Sequence, residues 1–392
     1  MTLDPQRLDE RIDNLAAKLI ELAQRIHQNP ELKFAEHRAK GWLAEAATVA
    51  GVALQHAPGG LETAFVARTG RGDGPRIAIL AEYDALPEIG HACGHNLIAA
   101  GALGAFLALA ADGGDFAGTV ELVGTPAEEG GGGKIKLLEA GVFNGIDVAM
   151  MFHPFDRDVL AHDALASTWF DMSFEGKASH AAIAPWGGAS ALTACMDTFR
   201  LIDGQRVHMR DGVRVHGYIK DGGRAPNIIP ERARCEFSVR ARTSDELARV
   251  GKMVRRCAEG AALASDVRVS ITERRGYREM KNNLSLARRF GGHLRALGRS
   301  PSERDASVGA GSTDMGDVSQ VVPSIHPWLQ ICETGATTCH QREFAASAAS
   351  ERGMGTMLLA AKAMARTTVD LLREPALIAE ARAEFDGAAT SQ

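Results

Sequence analysis

Three stretches of the chain carry groups that could act on a polar bond. "AEYDALPEIGHACGHN" (residues 81–96) sets Cys93 and His95 one residue apart among glycines, with Glu82 and Asp84 upstream. "PAEEGGGGK" (126–134) places two adjacent carboxylates, Glu128 and Glu129, ahead of four glycines. His153 directly follows an apolar run in "DVAMMFHP" (147–154). Thiolate, imidazole and carboxylate are together the ligands of zinc-like ions. A carboxylate not spent on an ion serves as a general base, and two in a row allow one of each. Taken alone, Cys93 also reads as a nucleophile, as half of a disulfide or as a small buried side chain. The glycine run is no phosphate loop, because the G-x-x-x-x-G-K-[S/T] spacing is absent.

Elements of regular structure must bring these groups together. Leu8, Ile12, Leu15, Leu19, Leu22 and Ile26 recur at helical steps and predict an amphipathic helix over 6–29. "RIAILAEYDAL" (76–86) opens as a continuous apolar run, the pattern of a strand buried on both faces. "TVELVGTPAEE" (119–129) and 147–154 are further strand-then-loop units, with helices expected over 96–111 and 134–143. Strands alternating with helices predict an α/β fold, a mostly parallel sheet covered on both sides. Such sheets bind ligands beyond the carboxyl ends of their strands, where Glu82/Asp84, Glu128/Glu129 and His153 all fall.

From about residue 167 the pattern changes. Strands are expected at 168–176, 213–222, 232–243 and 266–277, and helices at 190–202 and 244–264, the second opening on a capping Ser244 with Glu246 close behind. This β-α-β-β-α-β order is the split ferredoxin-like arrangement. It predicts a small α+β domain, 167–278, inserted into a larger one made of 1–166 and 279–392.

At 392 residues the chain exceeds what one core ordinarily holds, in keeping with two domains. A net charge of -5 argues against nucleic acid as a partner, which would call for a basic stripe. No apolar run is long enough to span a membrane, and "MTLDPQRLDERIDN" lacks the apolar core of a secretion signal. A cytoplasmic setting is expected, with the six cysteines mostly reduced. Aromatic residues are 5% of the chain, which disfavours a large stacking pocket, with Trp186 and Trp328 the candidates for one.

The words "EYDALP" (82–87), "GHACGHN" (90–96), "PAEEGGGGK", "GKASHAA" (176–182), "APNIIP" (225–230), "STDMGDVS" (312–319) and "TTCHQREF" (337–344) run over nearly the whole chain. In content and order they resemble the metal-dependent aminoacylase and exopeptidase (amidohydrolase) family. Within it they are most similar to the branches of the p-aminobenzoyl-glutamate hydrolases and the β-alanyl-lysine-type dipeptidases. The resemblance implies a zinc-exopeptidase-like catalytic domain with an inserted lid and dimerisation domain, and a homodimer. It implies two divalent ions, zinc foremost with manganese or cobalt as alternatives. Cys93 would bridge them, and His95, Glu129, His153 and His340 would complete the ligand set. Asp84 would orient a ligand, and Glu128 would be the general base that takes a proton from activated water. His180 would stabilise the developing oxyanion, and Asn227 and Arg240 would hold the free carboxylate of a small-molecule substrate. Glu82, where many relatives carry a histidine ligand, has no assigned role. Ser312, Thr313 and Asp314 read either as pocket lining or as a tight polar turn.

The implied reaction is hydrolysis of the amide bond of an N-acyl or aryl-acyl amino acid or a dipeptide. A same-family alternative is cleavage of a C–N bond in a non-peptide or aromatic amine. A cysteine-nucleophile hydrolase would leave Glu128, Glu129 and His153 without a task. A non-catalytic partner subunit would have no use for a general base.

Overall fold

The structure, a computed structural model, describes residues 4–390. It divides into two compact units. The first holds the residues up to Asp163, Met280–Ala310 and those from Asp314 onward; the second holds Ala164–Glu279 and Gly311–Thr313.

The first unit is built on a six-stranded sheet. Its strands are β1 (Ala53–His56), β2 (Phe65–Thr69), β3 (Arg76–Glu82), β4 (Thr119–Thr125), β5 (Val148–Met150) and the short Ser324–Ile325, in the spatial order β1-β2-β4-β3-β5 and then 324–325. The β4-β3-β5 centre and the 324–325 strand are parallel, and β1 and β2 form an antiparallel edge. In β3, every residue from Ile77 to Glu82 is buried, which explains its unbroken apolar reading. Helix Pro5–Gln28 starts at Asp4, whose side chain accepts from the Gln6 N–H, and buries Leu8, Ile12, Leu19, Ala23 and Ile26 along one stripe. Helix His95–Ala110 is buried on all sides and packs against Pro5–Gln28, Glu351–Arg373 and the sheet. Small side chains permit that central position: a Cβ at Gly101 would sit 2.8 Å from the Phe152 ring.

The second unit is a four-stranded antiparallel sheet in the order 268–275, 166–175, 232–241, 214–221. Helices Ala191–Gln205 and Ser244–Ala264 pack against it. Phe170, Met172 and Phe174 share one face with Cys235, Phe237 and Val239 of the neighbouring strand, Phe170 opposite Phe237 and Met172 opposite Cys235, and fill its core. The cap of the second helix is Thr243 rather than Ser244. Thr243 has extended backbone and its hydroxyl accepts from the Glu246 N–H at 3.2 Å, while the Ser244 hydroxyl turns to Glu279. Threonine and Glu246 thus have the three-residue spacing of a capping box, one residue earlier than expected. Among the described residues no helix is long and apolar enough to cross a membrane.

Candidate metal centre

The parallel strands end at one edge of the first unit, and each end supplies a piece of the site. Glu82 is the last residue of β3, with Tyr83 and Asp84 buried just beyond. The Tyr83 hydroxyl donates to the Thr63 carbonyl at 2.5 Å and anchors this turn. After β4, Pro126–Gly133 curls back into the short helix Gly133–Glu139. Ala127 takes a left-handed φ of 59°, and its N–H donates to Glu36 Oε1 at 2.8 Å. Left-handed backbone at a non-glycine residue is a strained arrangement held by its surroundings. Gly94, between Cys93 and His95, has φ 75°, and a Cβ there would lie 2.8 Å from Pro154 Cγ. Only glycine allows the His95 helix to start this close to the His153–Pro154 segment.

Among the described residues the potential ligand atoms form three groups, each with its atoms within 4.8 Å of one another: Cys93–His95–His153, Cys93–Glu129–His340 and Glu82–His95–Glu128. The first two share the Cys93 sulfur and contain all five residues expected to hold ions. His153 Nδ1 donates to the Pro154 carbonyl at 2.7 Å, which leaves Nε2 to carry the lone pair. His95 Nδ1 faces the Asp84 carbonyl at 2.8 Å and its Oδ1 at 3.2 Å. The opposite nitrogen, Nε2, lies 3.0 Å from Glu82 Oε1 without making an aligned hydrogen bond. Asp84 Oδ2 accepts from the Glu129 N–H at 2.9 Å, so one carboxylate orients two candidate ligands. Glu129 Oε1 stands 3.5 Å from His340 Nε2. His340 comes from far along the chain, in left-handed backbone with φ 70°, and its N–H donates to the Ala92 carbonyl at 3.0 Å.

Whether a divalent ion suits this cluster is tested by its buried atoms. His95 Nε2 and Glu129 Oε1 are shielded from solvent and make no hydrogen bond among the described residues. Buried polar atoms are ordinarily partnered, so a nitrogen and an oxygen without hydrogen bonds beside a buried thiol are donors that suit a cation. Sulfur, nitrogen and oxygen donors together fit the zinc class of ion.

The electrostatics are those of a crowded acidic pocket. Burial, then the Glu82, Glu129 and Asp314 charges, push Glu128 well above the usual carboxyl range. Burial works against a charged His95, but Glu82 and Asp84 outweigh it and hold the imidazole well above its usual range. The Cys93 thiol is pushed up by the adjoining Cys339 thiol, by burial and by Glu129. Glu129 goes the other way: burial raises it, yet His340 and His95 bring it below the usual range. Burial and the neighbouring His95 lower His153 to about 4.

The remaining expected site residues belong to the second unit. His180 is exposed, its Nδ1 accepting from the Ala182 and Ile183 N–H groups at 3.2 Å each. Asn227 is exposed beside it, its carbonyl accepting from the Ala181 N–H at 3.0 Å. Arg240 is half-buried, donates from Nη1 to Ser312 Oγ at 3.4 Å, and is lowered by burial. Of the two tryptophans considered for a stacking pocket, Trp328 lies flat on His162 at a ring separation of 3.4 Å in the first unit, and Trp186 is 83% exposed.

Three buried groups near the site carry no role in the sequence reading. Glu36 holds Ala127 from below. The Lys134 ammonium, wholly buried, contacts Glu82 Oε2 and lies 2.6 Å from Asp314 Oδ1. His326 is buried with its ring 5.3 Å from that of His153. Lys134 had a visible signal, a lone charge closing a glycine run. Glu36 and His326 had none, since each depends on partners distant in the chain.

A profile of peptidase family M20/M25/M40 matches residues 78–363. The chain is 39% identical to the Xaa-Arg dipeptidase of Mus musculus, covering 97% of this chain and 91% of that relative. It is 28% identical to a p-aminobenzoyl-glutamate hydrolase chain of Escherichia coli, over 98% of this chain and 95% of the relative. A dinuclear metal-binding peptidase of the M20 family from Bacillus subtilis shares the fold, with a TM-score of 0.72 at 22% identity over 92% of this chain and 99% of that one. The site words, their convergence at one sheet edge and these likenesses agree: the chain is an enzyme, a hydrolase belonging to peptidase family M20/M25/M40.

Proposed function

We propose that this enzyme cleaves the amide bond of a dipeptide or N-acyl amino acid whose leaving amino acid keeps its free carboxylate. The observation that carries the proposal is the pair of donor groups joined at the Cys93 sulfur, with Glu128 in a third group beside them. Cys93, His95, Glu129, His153 and His340 would hold two divalent ions, zinc foremost. Bound there, the ions would polarise the scissile carbonyl and acidify water.

The chain's own residues do the rest. Asp84 fixes the His95 tautomer by accepting at Nδ1. Glu128 takes the proton of the attacking water and passes it to the leaving amine. Burial and the neighbouring acids raise its proton affinity, which suits a group that must hold a proton between the two steps. His180 supplies a donor to the developing oxyanion, and Asn227 and Arg240 hold the substrate carboxylate, Arg through its planar fork. The second unit acts as lid and dimerisation domain, with 167–278 inserted between 1–166 and 279–392. A nucleophilic Cys93 is disfavoured, because its thiol is buried and held protonated.

Dipeptides ending in arginine or lysine are the first substrates to try, given the Xaa-Arg dipeptidase likeness over nearly the whole chain. Aryl-acyl glutamates and N-acetyl amino acids come next. Chelation should abolish hydrolysis, and zinc, manganese or cobalt should restore it. Glu128→Gln should lower turnover roughly 1,000-fold with ion stoichiometry unchanged. Full activity in metal-free enzyme, or in Glu128→Gln, would refute the proposal.

A further inference from the structure

We infer that Lys134 is a positioning residue of the hydrolytic site, locking Glu82 against His95 and fixing the far end of the loop that carries Glu128. This rests on the reading of His95 and Glu128 as parts of a hydrolytic centre. Lys134 is a fully buried ammonium on the first turn of helix Gly133–Glu139. Its Nζ sits between Glu82 Oε2 and Asp314 Oδ1, the latter at 2.6 Å, and its backbone N–H donates to Asp314 Oδ2 at 3.0 Å. Both Asp314 oxygens are therefore committed to Lys134. Glu82 has one oxygen on the ammonium and the other 3.0 Å from His95 Nε2. The chain of contacts Asp314–Lys134–Glu82–His95 ends at a candidate ligand.

Two considerations separate this from an ordinary staple. Buried ion clusters are poor sources of stability, because apolar side chains of similar size often do as well. A cation with two carboxylates under a sheet edge therefore calls for a reason other than stability. The second consideration is the four-glycine run, residues 130–133, which alone would leave Glu128 and Glu129 free to wander. The run is clamped at both ends, by Glu36 at the Ala127 N–H and by Glu82 and Asp314 at Lys134. Glu82, His95 and Glu128 have their ligating atoms within 4.8 Å of one another, so a shift of Glu82 is felt at both the histidine and the base.

The test uses the full-length protein, with cobalt as the spectroscopic probe, and the variants Lys134→Met and Lys134→Met/Glu82→Gln. The double variant keeps the net charge of the cluster and removes the Glu82 carboxylate that the single variant would leave without its ammonium. Three quantities are read: the melting temperature of metal-free protein, the visible absorption of the cobalt form, and kcat and KM per folded, metal-loaded molecule. A misplaced group at the reacting centre costs roughly 100-fold in kcat with KM inside about threefold. That loss is expected in Lys134→Met with an altered cobalt spectrum, and it should persist in the double variant even where the melting temperature recovers. A staple alone predicts otherwise. Wild-type spectrum and kcat in folded Lys134→Met, or recovery of both with stability in the double variant, overturns the inference. If Lys134→Met does not fold, the double variant is compared with Glu82→Gln: a lower kcat and a different cobalt spectrum in the double variant support the inference, and equality of both overturns it. Failure of the wild-type protein to bind cobalt or be activated by any divalent ion would instead overturn the metal-centre reading, and this inference with it.

Discussion

Glu36 offers a prediction that needs no substrate. Its side chain is fully buried; Oε1 accepts the Ala127 N–H at 2.8 Å, and Oε2 has no hydrogen-bond partner among the described residues. Burial, helped by the Asp84 charge, raises its pKa from an ordinary 4.5 to about 7. The native state thus binds a proton across the window between those values that the unfolded chain has released. Stability from this group is fully present below about pH 4.5 and is lost as pH rises through about 7. A shift of that size corresponds to about 3 kcal/mol at pH 8. Glu36→Gln keeps an oxygen for the Ala127 N–H and removes the titration. Its amide adds an unpaired buried donor, worth about 1–3 kcal/mol at every pH, so the change with pH is the quantity to compare. Urea unfolding of both proteins at pH 5 and pH 8 should show the wild type losing about 2.5 kcal/mol more than the variant on going to pH 8, the rest having been lost already at pH 5. Parallel losses would refute the reasoning and place the Glu36 carboxyl at an ordinary value in the native state.

Other perturbations test the site directly. Gly133→Ala would put a Cβ 1.8 Å from the Pro126 carbonyl oxygen, so the loop must shift; a loss of about 1–3 kcal/mol in stability and a larger proportional loss in turnover are expected. His95 and Cys93 are both held protonated near neutral pH, so ions must displace those protons on binding. Calorimetry in two buffers of different ionisation enthalpy should show proton release and an affinity that falls as pH falls; buffer-independent heats would contradict this. Arg240→Met should raise KM by about 30-fold or more for substrates with a free carboxylate and leave KM for their amides unchanged. An equal effect on both would remove Arg240 from carboxylate recognition.

The core of the fold was readable because burial writes itself into composition. β3 is apolar throughout since both its faces are covered, and helix His95–Ala110 is small and apolar on every side since it lies among other helices. The second unit declared itself through strict alternation, as in Phe170, Met172 and Phe174. The Thr243 cap was misplaced by one residue because Thr243 and Ser244 are both competent caps, and only backbone geometry chooses between them. The candidate ligands were readable for a different reason: cysteine, histidine and paired carboxylates are conspicuous at strand ends. Their supports were not. Lys134 meets Asp314 across 180 positions of chain, and Glu36 meets Ala127 across 91. Such pairs have no local signature, and sheet topology alone brings them into contact.

That asymmetry has a physical origin in the loop from Pro126 to Lys134. In the proposed mechanism Glu128 accepts a proton and returns it, while Glu129, next in sequence, is held by contacts with Asp84 and His340. Adjacent residues on an ordinary turn or strand point apart, so bringing both carboxylates to one locus requires unusual backbone. The left-handed Ala127 and the glycines after it supply that backbone. The same freedom would blur the position of the base, and a base displaced by an ångström loses most of its value. Rigidity therefore has to come from outside the loop, through buried groups that seize its two ends. On the proposed reading the conspicuous residues do the chemistry, and the inconspicuous ones, Glu36, Lys134 and Asp314, hold the two ends of a loop built mostly of glycine.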